Sequence, residues 1–407
     1  GPQGTLFGRN ASAGLIHIIS KKPSFDLTGL GEISYGNFDF IRAQGAISGG
    51  LTETIAARID GVYVKRDGFL RDPANNTRIN DRARYFVRGQ LLYEPSDDFS
   101  VRLIGDYTKR NEKCCGAVYL GPDTTPQIGN LNVPITPNAN GSLPAPGNNN
   151  NIINVIRDLG QPLDRLGNAF NRIASVTPGR SYAGVTEDWG VSGEVNWNLG
   201  PATLTSITGY RRYSADQGSD TDYSTVDILY RAADGNSRRQ FTTFTQELRL
   251  QGSLFEDKLD WLIGGFFADE DLTLTDNLRF GRQYGRFATC RVVSGALGAF
   301  YSPTSPGCIS PTGRAVLSGQ LAGAGVPSPF GAAGPLVVAG FDRLDSVNDR
   351  GSTLDRYFQN SRNFAVFTHN IFHVTDTLDV TIGLRYTRER KRFNATFGND
   401  NVACPAQ

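Results

Sequence analysis

From about residue 27 onward, apolar and polar residues alternate with a period of two. Between Phe99 and Arg110, Phe99, Val101, Leu103, Gly105 and Tyr107 share one face, while Ser100, Arg102, Asp106, Thr108 and Arg110 share the other. Successive side chains of a strand point to opposite faces, so the pattern predicts a strand with one apolar and one wet face. Trp189, Val191, Gly193, Val195, Trp197 and Leu199 oppose Asp188, Ser192, Glu194, Asn196 and Asn198 in the same way. So do Tyr85, Val87, Gly89, Leu91 and Tyr93 against Arg84, Arg88, Gln90 and Glu94. The clearest case sets Leu378, Val380, Ile382, Leu384 and Tyr386 against Asp379, Thr381, Arg385, Thr387 and Glu389. Aromatic residues bracket the apolar face at Trp189/Trp197 and Tyr85/Tyr93, where girdles at two lipid–water boundaries would lie.

A soluble β-sandwich also alternates, so the period alone leaves both architectures open. Three features favour a transmembrane barrel. The strands are long, roughly 10 to 14 residues against a usual mode of about 5 to 6. Their polar faces carry many ionised groups, which suits a water-filled lumen. Short connections at 49–53, 95–98, 200–201, 254–257 and 375–377 alternate with long ones at 67–81, 111–187, 215–237 and 276–360. Only Gly36-Asn37-Phe38-Asp39 is short on the long side. Tight turns at one end and large loops at the other are the pattern of an outer-membrane barrel. The predicted strands lie near 28–36, 38–49, 53–66, 81–94, 98–110, 187–199, 202–214, 238–252, 258–275, 361–374 and 377–392. Single-chain bacterial barrels have an even strand count. An odd count of about eleven predicts an all-β, antiparallel transmembrane barrel that is incomplete.

Composition narrows the classes further. The 407 residues include no Met, so the expectation is a fragment or processed product. Net charge is +1, from 41 basic and 40 acidic residues, so bulk charge gives no argument for nucleic acid. Mean hydropathy is −0.31, and no run of 18 apolar residues offers a membrane-spanning helix. Barrel strands escape that test because their lumen-facing residues are polar. The 47 Gly, 24 Phe and 15 Tyr fit close strand packing with aromatic girdles, and fit a secreted sandwich as well. Five cysteines are few for a disulfide scaffold. Cys290 and Cys308 share one Gly/Pro-rich stretch and are a candidate disulfide in an oxidising compartment. The adjacent Cys114 and Cys115 either pair elsewhere or form a vicinal bond, and they lack the spacing of a zinc motif.

The first 23 residues resemble the segment that closes the plug of TonB-dependent receptors. Gly1, Pro2, Leu6, Phe7, Gly8, Arg9, Gly14 and Pro23 carry the match, with Ile16 to Ile19 expected as a short buried strand between turns. Leu15 and His17 depart from the family, which has a small residue and Asn there. The resemblance continues through Gly36-Asn37-Phe38-Asp39, Ser48 to Thr54 and Arg66-Asp67-Gly68-Phe69. It goes on through Gln246 to Leu250 with Trp261 to Phe266, and through Thr375-Asp376 with Gly383 to Thr387. It implies that residues 1–25 end a plug domain and 26–407 form the first half of an outer-membrane barrel. A complete family barrel has about 22 strands and a plugged lumen. The implied function is import of a scarce nutrient, foremost a ferric siderophore, with a vitamin or glycan as alternatives. The implied partners are the TonB energy-transducing complex, outer-membrane lipid and the small-molecule ligand, with neither cofactor nor nucleic acid. The box that contacts TonB, most of the plug and the second half of the barrel are expected beyond this sequence.

Other candidates are weaker. His369 and His373 lie on one strand face about 13 Å apart, too far to share a metal ion, and read as lumen or plug-contacting residues. Gly1 to Gly8 lacks the Gly-Lys-Ser/Thr ending of a phosphate loop. Asp216, Asp220, Asp222 and Asp227 read as a solvated acidic loop without calcium-loop spacing. Gly121 to Asn151 reads as flexible loop, and Arg157 to Ile173 as holding a short amphipathic helix. Arg84, Arg88, Arg102 and Arg385 are expected to line the lumen or brace the plug. With three His and no nucleophile motif beside them, an enzyme is not expected. The readings from other classes are a plugless barrel enzyme or adhesin and a secreted carbohydrate-binding β-protein.

Overall fold

The computed structural model describes residues 4–8, 14–118, 152–162, 165 and 170–400. Eleven strands form one antiparallel sheet in which each pairs with the next along the chain. They are β1 (Thr28–Gly36), β2 (Phe40–Gly50), β3 (Ile55–Arg66), β4 (Arg82–Ser96), β5 (Phe99–Lys113) and β6 (Ala183–Asn198). The meander continues through β7 (Thr203–Gln217), β8 (Arg238–Leu254), β9 (Leu259–Asp276), β10 (Asp355–Thr375) and β11 (Leu378–Thr396). Every predicted strand is present. Connections of two to four residues close one end of the sheet, and the long loops stand at the other.

The register fixes how this sheet sits in a bilayer. One outward-facing aromatic, or an apolar residue in its place, marks the loop-side boundary on each strand. These are Tyr35, Ile41, Tyr63, Tyr85, Tyr107, Trp189, Tyr210, Phe244, Phe267, Phe364 and Tyr386. Paired residues lie level across the strands, and against that level the marker steps steadily toward the short turns: Tyr107 pairs with Trp189, Tyr210 with Val191, and Phe267 with Gln246. The total drift is about one residue per strand. With about 3.3 Å per residue and about 4.8 Å between strands, a level girdle then requires a strand tilt of about 35°, within the range of membrane barrels. A second boundary lies eight residues lower, at Tyr93, Phe99, Trp197, Phe372 and Leu378. That separation is about 26 Å along the strand and about 22 Å along the bilayer normal, close to the ~25 Å apolar band of such barrels. Between the boundaries the outward face is exposed and apolar, as at Val87, Leu91, Leu103, Val191 and Ile263.

The buried cores lie in the loops. Helices α1 (Gly4–Phe7), α2 (Ile152–Asp158), α3 (Tyr284–Ala296), α4 (Pro311–Leu317) and α5 (Gly334–Asp345) all fall outside the barrel wall. In α3, Phe287, Cys290 and Val293 recur at helical spacing, with Leu297 just beyond, and turn one stripe inward. Ser310 caps α4 by accepting a hydrogen bond from the Gly313 amide, and Pro311 opens its first turn. The helix expected within 157–173 instead occupies Ile152–Asp158. There Val155 and Ile156 supply the buried face, and the chain turns at Gly160, whose φ is +112°.

A second expectation is corrected at the N-terminal end. Residues 14–23 form no strand, and Ile16, Ile18 and Ile19 are 92%, 88% and 74% exposed. Strand pairing needs a neighbouring edge, and among the described residues none runs beside this segment.

Candidate functional site

The inward face of the sheet is a charged wall. Arg211 spans Asp106 at 2.9 Å and Asp188 at 2.6 Å, and Arg88 adds a longer pair to Asp106 at 3.6 Å. Arg84 holds Glu112 through two bonds of 2.7 and 2.8 Å, near the loop side. Lower down, β4 and β5 grip the non-barrel segment. Arg102 donates to Gln90 Oε1 through Nε at 3.1 Å and Nη2 at 2.6 Å, and Nη2 also donates to the Ser20 carbonyl at 3.1 Å. Gln90 Nε2 donates to the Lys21 carbonyl at 3.1 Å, and Arg88 Nη1 to Ser20 Oγ at 2.8 Å. Arg102 and Gln90 are both buried. Their donors satisfy backbone carbonyls that form no strand ladder, a job that falls to side chains when a segment is irregular.

A second contact lies at the far side of the sheet. Gly264 leaves room for the Phe367 ring, since a Cβ there would come within 2.4 Å of it. The Arg385 guanidinium stands 5.0 Å above that ring, and Gly8, with φ +80°, packs against Arg385. Beside it is a lumen cavity of about 500 Å³ lined by His17, Glu247, Arg249, Glu270 and Arg385 among others.

Of the plug-end residues, Gly1, Pro2 and Arg9 lie outside the described residues, as do the side chains of Leu6 and Phe7. Gly8 and Pro23 are buried, and Gly14 has φ +127°. Arg88, Arg102 and Arg385 touch the N-terminal segment, whereas Arg84 is engaged by Glu112. His373 is bound by Asp379 at 2.8 Å and Asp260 at 3.1 Å, near the short-turn end. Gln90 and Ser20 were not picked out from the sequence. In sequence Gln90 is one more polar-face residue, and its partner is 69 positions away.

On the other side of the barrel the long loops close into one cover, with the β5–β6 loop as its hub. Its Ala174, Val176 and Tyr182 pack with Leu70 and Ile79 of the β3–β4 loop. Its Ile156 packs with Val226 and Ile228 of the β7–β8 loop. Its Val155 packs with Val293, Ile309, Leu317 and Val338 of the β9–β10 loop, around a disulfide joining Cys290 to Cys308. Cys114 and Cys115 form a vicinal disulfide where β5 enters the hub.

The acidic loop is the polar counterpart of these cores, which corrects its reading as a solvated segment. Asp220 is fully buried, and its Oδ2 accepts from the Thr177 amide at 2.6 Å. Asp222 accepts from the amides of Ser224, Ile228 and Leu229. Asp227 is gripped by Arg180 at 3.0 and 2.8 Å and by Arg282 at 2.8 Å, so three loops meet on one carboxylate. Arg180 also stacks 3.3 Å above the Tyr230 ring. Burial pushes the Asp220 carboxyl up to about 8, with the Asp222 charge adding to it. Burial also raises Asp222, against the hydrogen bonds that favour its ionised form. For Asp227, burial is outweighed by Arg180 and Arg282, which hold it below the ordinary carboxylate range.

A tilted antiparallel sheet with an apolar outer band, two girdles and a charged inner face is the wall of an outer-membrane β-barrel. Comparison with solved structures places it more narrowly: the fold is that of the TonB-dependent siderophore receptors. The ferric yersiniabactin uptake receptor FyuA from Yersinia pestis superposes with a TM-score of 0.56 at 13% identity, over 98% of this chain and 46% of that one. The open form of the ferric-catecholate import receptor Fiu from E. coli K12 gives 0.55 at 14% identity, over 98% and 54%. The ferripyoverdine receptor of Pseudomonas aeruginosa gives 0.51 at 14% identity, over 98% and 42%. Among curated proteins, the ferrioxamine B receptor of Salmonella typhimurium is 29% identical over 106 residues, which is 23% of this chain and 15% of that receptor. The chain thus spans about half or less of each of these relatives. No family model matches it.

Proposed function

We propose that the protein is an outer-membrane receptor importing a ferric siderophore, driven by a TonB complex that uses the proton-motive force to move a plug. In this reading residues 1–25 are the end of the plug, and 26–407 are barrel with its loops. The three longest excursions, about 111–187, 215–237 and 276–360, then face the medium and meet the ligand. The observation that carries the reading is the grip of Arg88, Gln90 and Arg102 on Ser20 and Lys21 inside the wall. A plugless enzyme or adhesin barrel has no use for a non-barrel segment anchored in its lumen. The siderophore is preferred over a vitamin or glycan because the relatives above are named for ferric siderophores.

The test is uptake of radioactive iron by cells carrying or lacking the complete gene. Ferrioxamine B, a catecholate and a pyoverdine serve as carriers, each with and without a protonophore. Gene-dependent, protonophore-sensitive uptake of one carrier is expected. Uptake of none, together with loss of growth on a vitamin or glycan in the deletion strain, would overturn the siderophore assignment.

A further inference from the structure

The vicinal disulfide of Cys114 and Cys115 begins where β5 ends, seven residues beyond the girdle residue Tyr107, so it stands in water above the bilayer. Cys115 is exposed and Cys114 half-buried. The Cys290–Cys308 disulfide is the opposite case, since both of its residues are fully buried in the loop core. A reagent in the medium therefore meets the first disulfide and is kept from the second.

The exposed pair also sits on a joint of the loop cover. Asn80, at the end of the β3–β4 loop, wraps the chain beside it. Its Oδ1 accepts from the amides of Cys115 at 3.1 Å and Gly116 at 3.0 Å, and its Nδ2 donates to the Gly116 carbonyl at 3.2 Å. The Cys114 amide donates to the Tyr182 carbonyl at 3.1 Å, at the far end of the β5–β6 loop. Gly116 passes so close to Ile79 that a Cβ there would come within 2.1 Å of its side chain. Val118 packs on the core of Leu70, Ile79, Val176 and Tyr182. Cys115 reaches this position with φ +86°, in the left-handed region that an L side chain disfavours. The small ring closed by bonding two adjacent side chains restricts the dihedrals of both residues, and so keeps Cys115 there.

We propose that Cys114–Cys115 is a thiol-exchange site, a latch on the loop cover that a low-molecular-weight thiol in the medium opens. A thiolate RS⁻ attacks the Cys115 sulfur, forming a Cys115–SR bond while the bond to Cys114 breaks. The electron pair leaves on the Cys114 sulfur, which takes up a proton. A second thiolate attacks the R-bearing sulfur of that mixed disulfide, releasing RSSR and a Cys115 thiolate that is protonated in turn. Two thiols are thus oxidised to one disulfide, and the protein pair gains two electrons and two protons. With the ring open, Cys115 returns to negative φ, Asn80 loses its two amide donors, and Gly116 and Val118 withdraw from Ile79. The β3–β4 loop is then freed from the hub of the cover. RSSR drives the same steps backwards and closes the latch. The latch does not depend on which nutrient is imported.

The test uses the full-length protein in detergent micelles, with heat-modifiable gel mobility as the check on folding. It carries C404S, so that Cys404 takes no part in the exchange. Reduced glutathione is the probe, and maleimide labelling read by mass spectrometry reports which cysteines have opened. Cys114 and Cys115 should take label, while Cys290 and Cys308 stay unlabelled. Hydrogen exchange at the Cys115 and Gly116 amides should rise about tenfold on reduction and fall back with oxidised glutathione. C114S/C115S should exchange at the fast rate with or without glutathione. N80A should exchange fast while its disulfide is still closed. Absence of label on Cys114 and Cys115, or equal labelling of all four cysteines, would overturn the site. Labelling with unchanged amide exchange, or an N80A protein that exchanges as slowly as the unaltered one, would overturn the latch.

Discussion

Arg102 is the residue on which the grip of the wall on segment 14–23 depends most. In R102A, Gln90 Oε1 loses both of its donors from Arg102, and the Ser20 carbonyl loses its bond as well. Lys21 keeps its bond from Gln90. An unsatisfied buried acceptor costs about 1–3 kcal/mol, and water in a polar lumen recovers part of that. A net loss of about 2 kcal/mol shifts the equilibrium between docked and released segment about 30-fold. Trypsin reads that equilibrium in the full-length protein: Lys21 and Lys22 are exposed, but a protease must take up the backbone between them, and the Lys21 carbonyl is held by Gln90 while the segment is docked. When opening and closing are fast relative to cleavage, the rate follows the open population. R102A should therefore be cut about 30-fold faster at this bond. R102K should recover little, since an ammonium cannot span two acceptors in one plane. R84A serves as the control, because Arg84 is spent on Glu112 and not on the segment. Cleavage of R102A at the unaltered rate, or equal acceleration by R84A, would refute the assignment of Arg102 as the anchor.

Leu103 lies midway between the girdles on the outward face of β5, so L103R should cost about 2–4 kcal/mol in urea unfolding from lipid vesicles; its inward neighbour Ile104, replaced by Arg, should cost clearly less, and equal costs would contradict the facing. The pKa of Asp220 is about 8 in the folded cover, against about 3.9 when unfolded. The folded state therefore holds the extra proton, and the stability this brings is full below pH ~4 and lost as pH rises to ~8. Hydrogen exchange at the Thr177 amide should accelerate over that window, D220N should flatten the response, and a pH-independent exchange ratio in both would sink the idea. Cys290 and Cys308 are 18 residues apart, and a cross-link of that span contributes about 3 kcal/mol. C290S/C308S should then lower the thermal midpoint of the loop cover and leave the sheet transition in place, as read by separate tryptic and circular-dichroism melts.

The barrel was legible because a membrane wall is written in the local alternation of side chains. Each strand needs one lipid-facing and one water-facing row, so Leu378 to Glu389 declares both without reference to any other strand. Boundaries moved where a strand continues beyond the bilayer. β10 begins at Asp355 and not near 361, because Arg356 to Asn360 pair with β9 and β11 in water above the girdle, where apolar residues are not required. The tilt was not legible, since it follows from which residue of one strand pairs with which of the next. Once the pairing is known, the aromatic markers alone yield it.

The loop cover was illegible for the opposite reason: much of what holds it together is long-range. Asp220 and Asp227 look like part of a solvated run because their side-chain partners are remote in sequence, while Asp222 is held by the nearby amides of Ser224, Ile228 and Leu229. The partners of Asp220 and Asp227 arrive from Thr177, Arg180 and Arg282, up to 55 residues away. The helical stripe of Phe287, Cys290 and Val293 was present in the sequence, but Gly, Ser and Pro around it gave the stretch the composition of a loop. Ile16 to Ile19 failed in the other direction. Four residues of strand propensity do not make a strand without an edge to pair with, and the wall holds this segment by side chains below it, at Ser20 and Lys21. That division has a mechanical consequence. Arg88, Gln90 and Arg102 fasten the segment at Ser20 and Lys21, while Ile16, Ile18 and Ile19 stay exposed. A pull from the N-terminal side would therefore load the contact of Gly8 with Arg385 first, then the Arg102 anchor, and last the bonds of Ser24 to Ser48 and of Phe25 to Gly50.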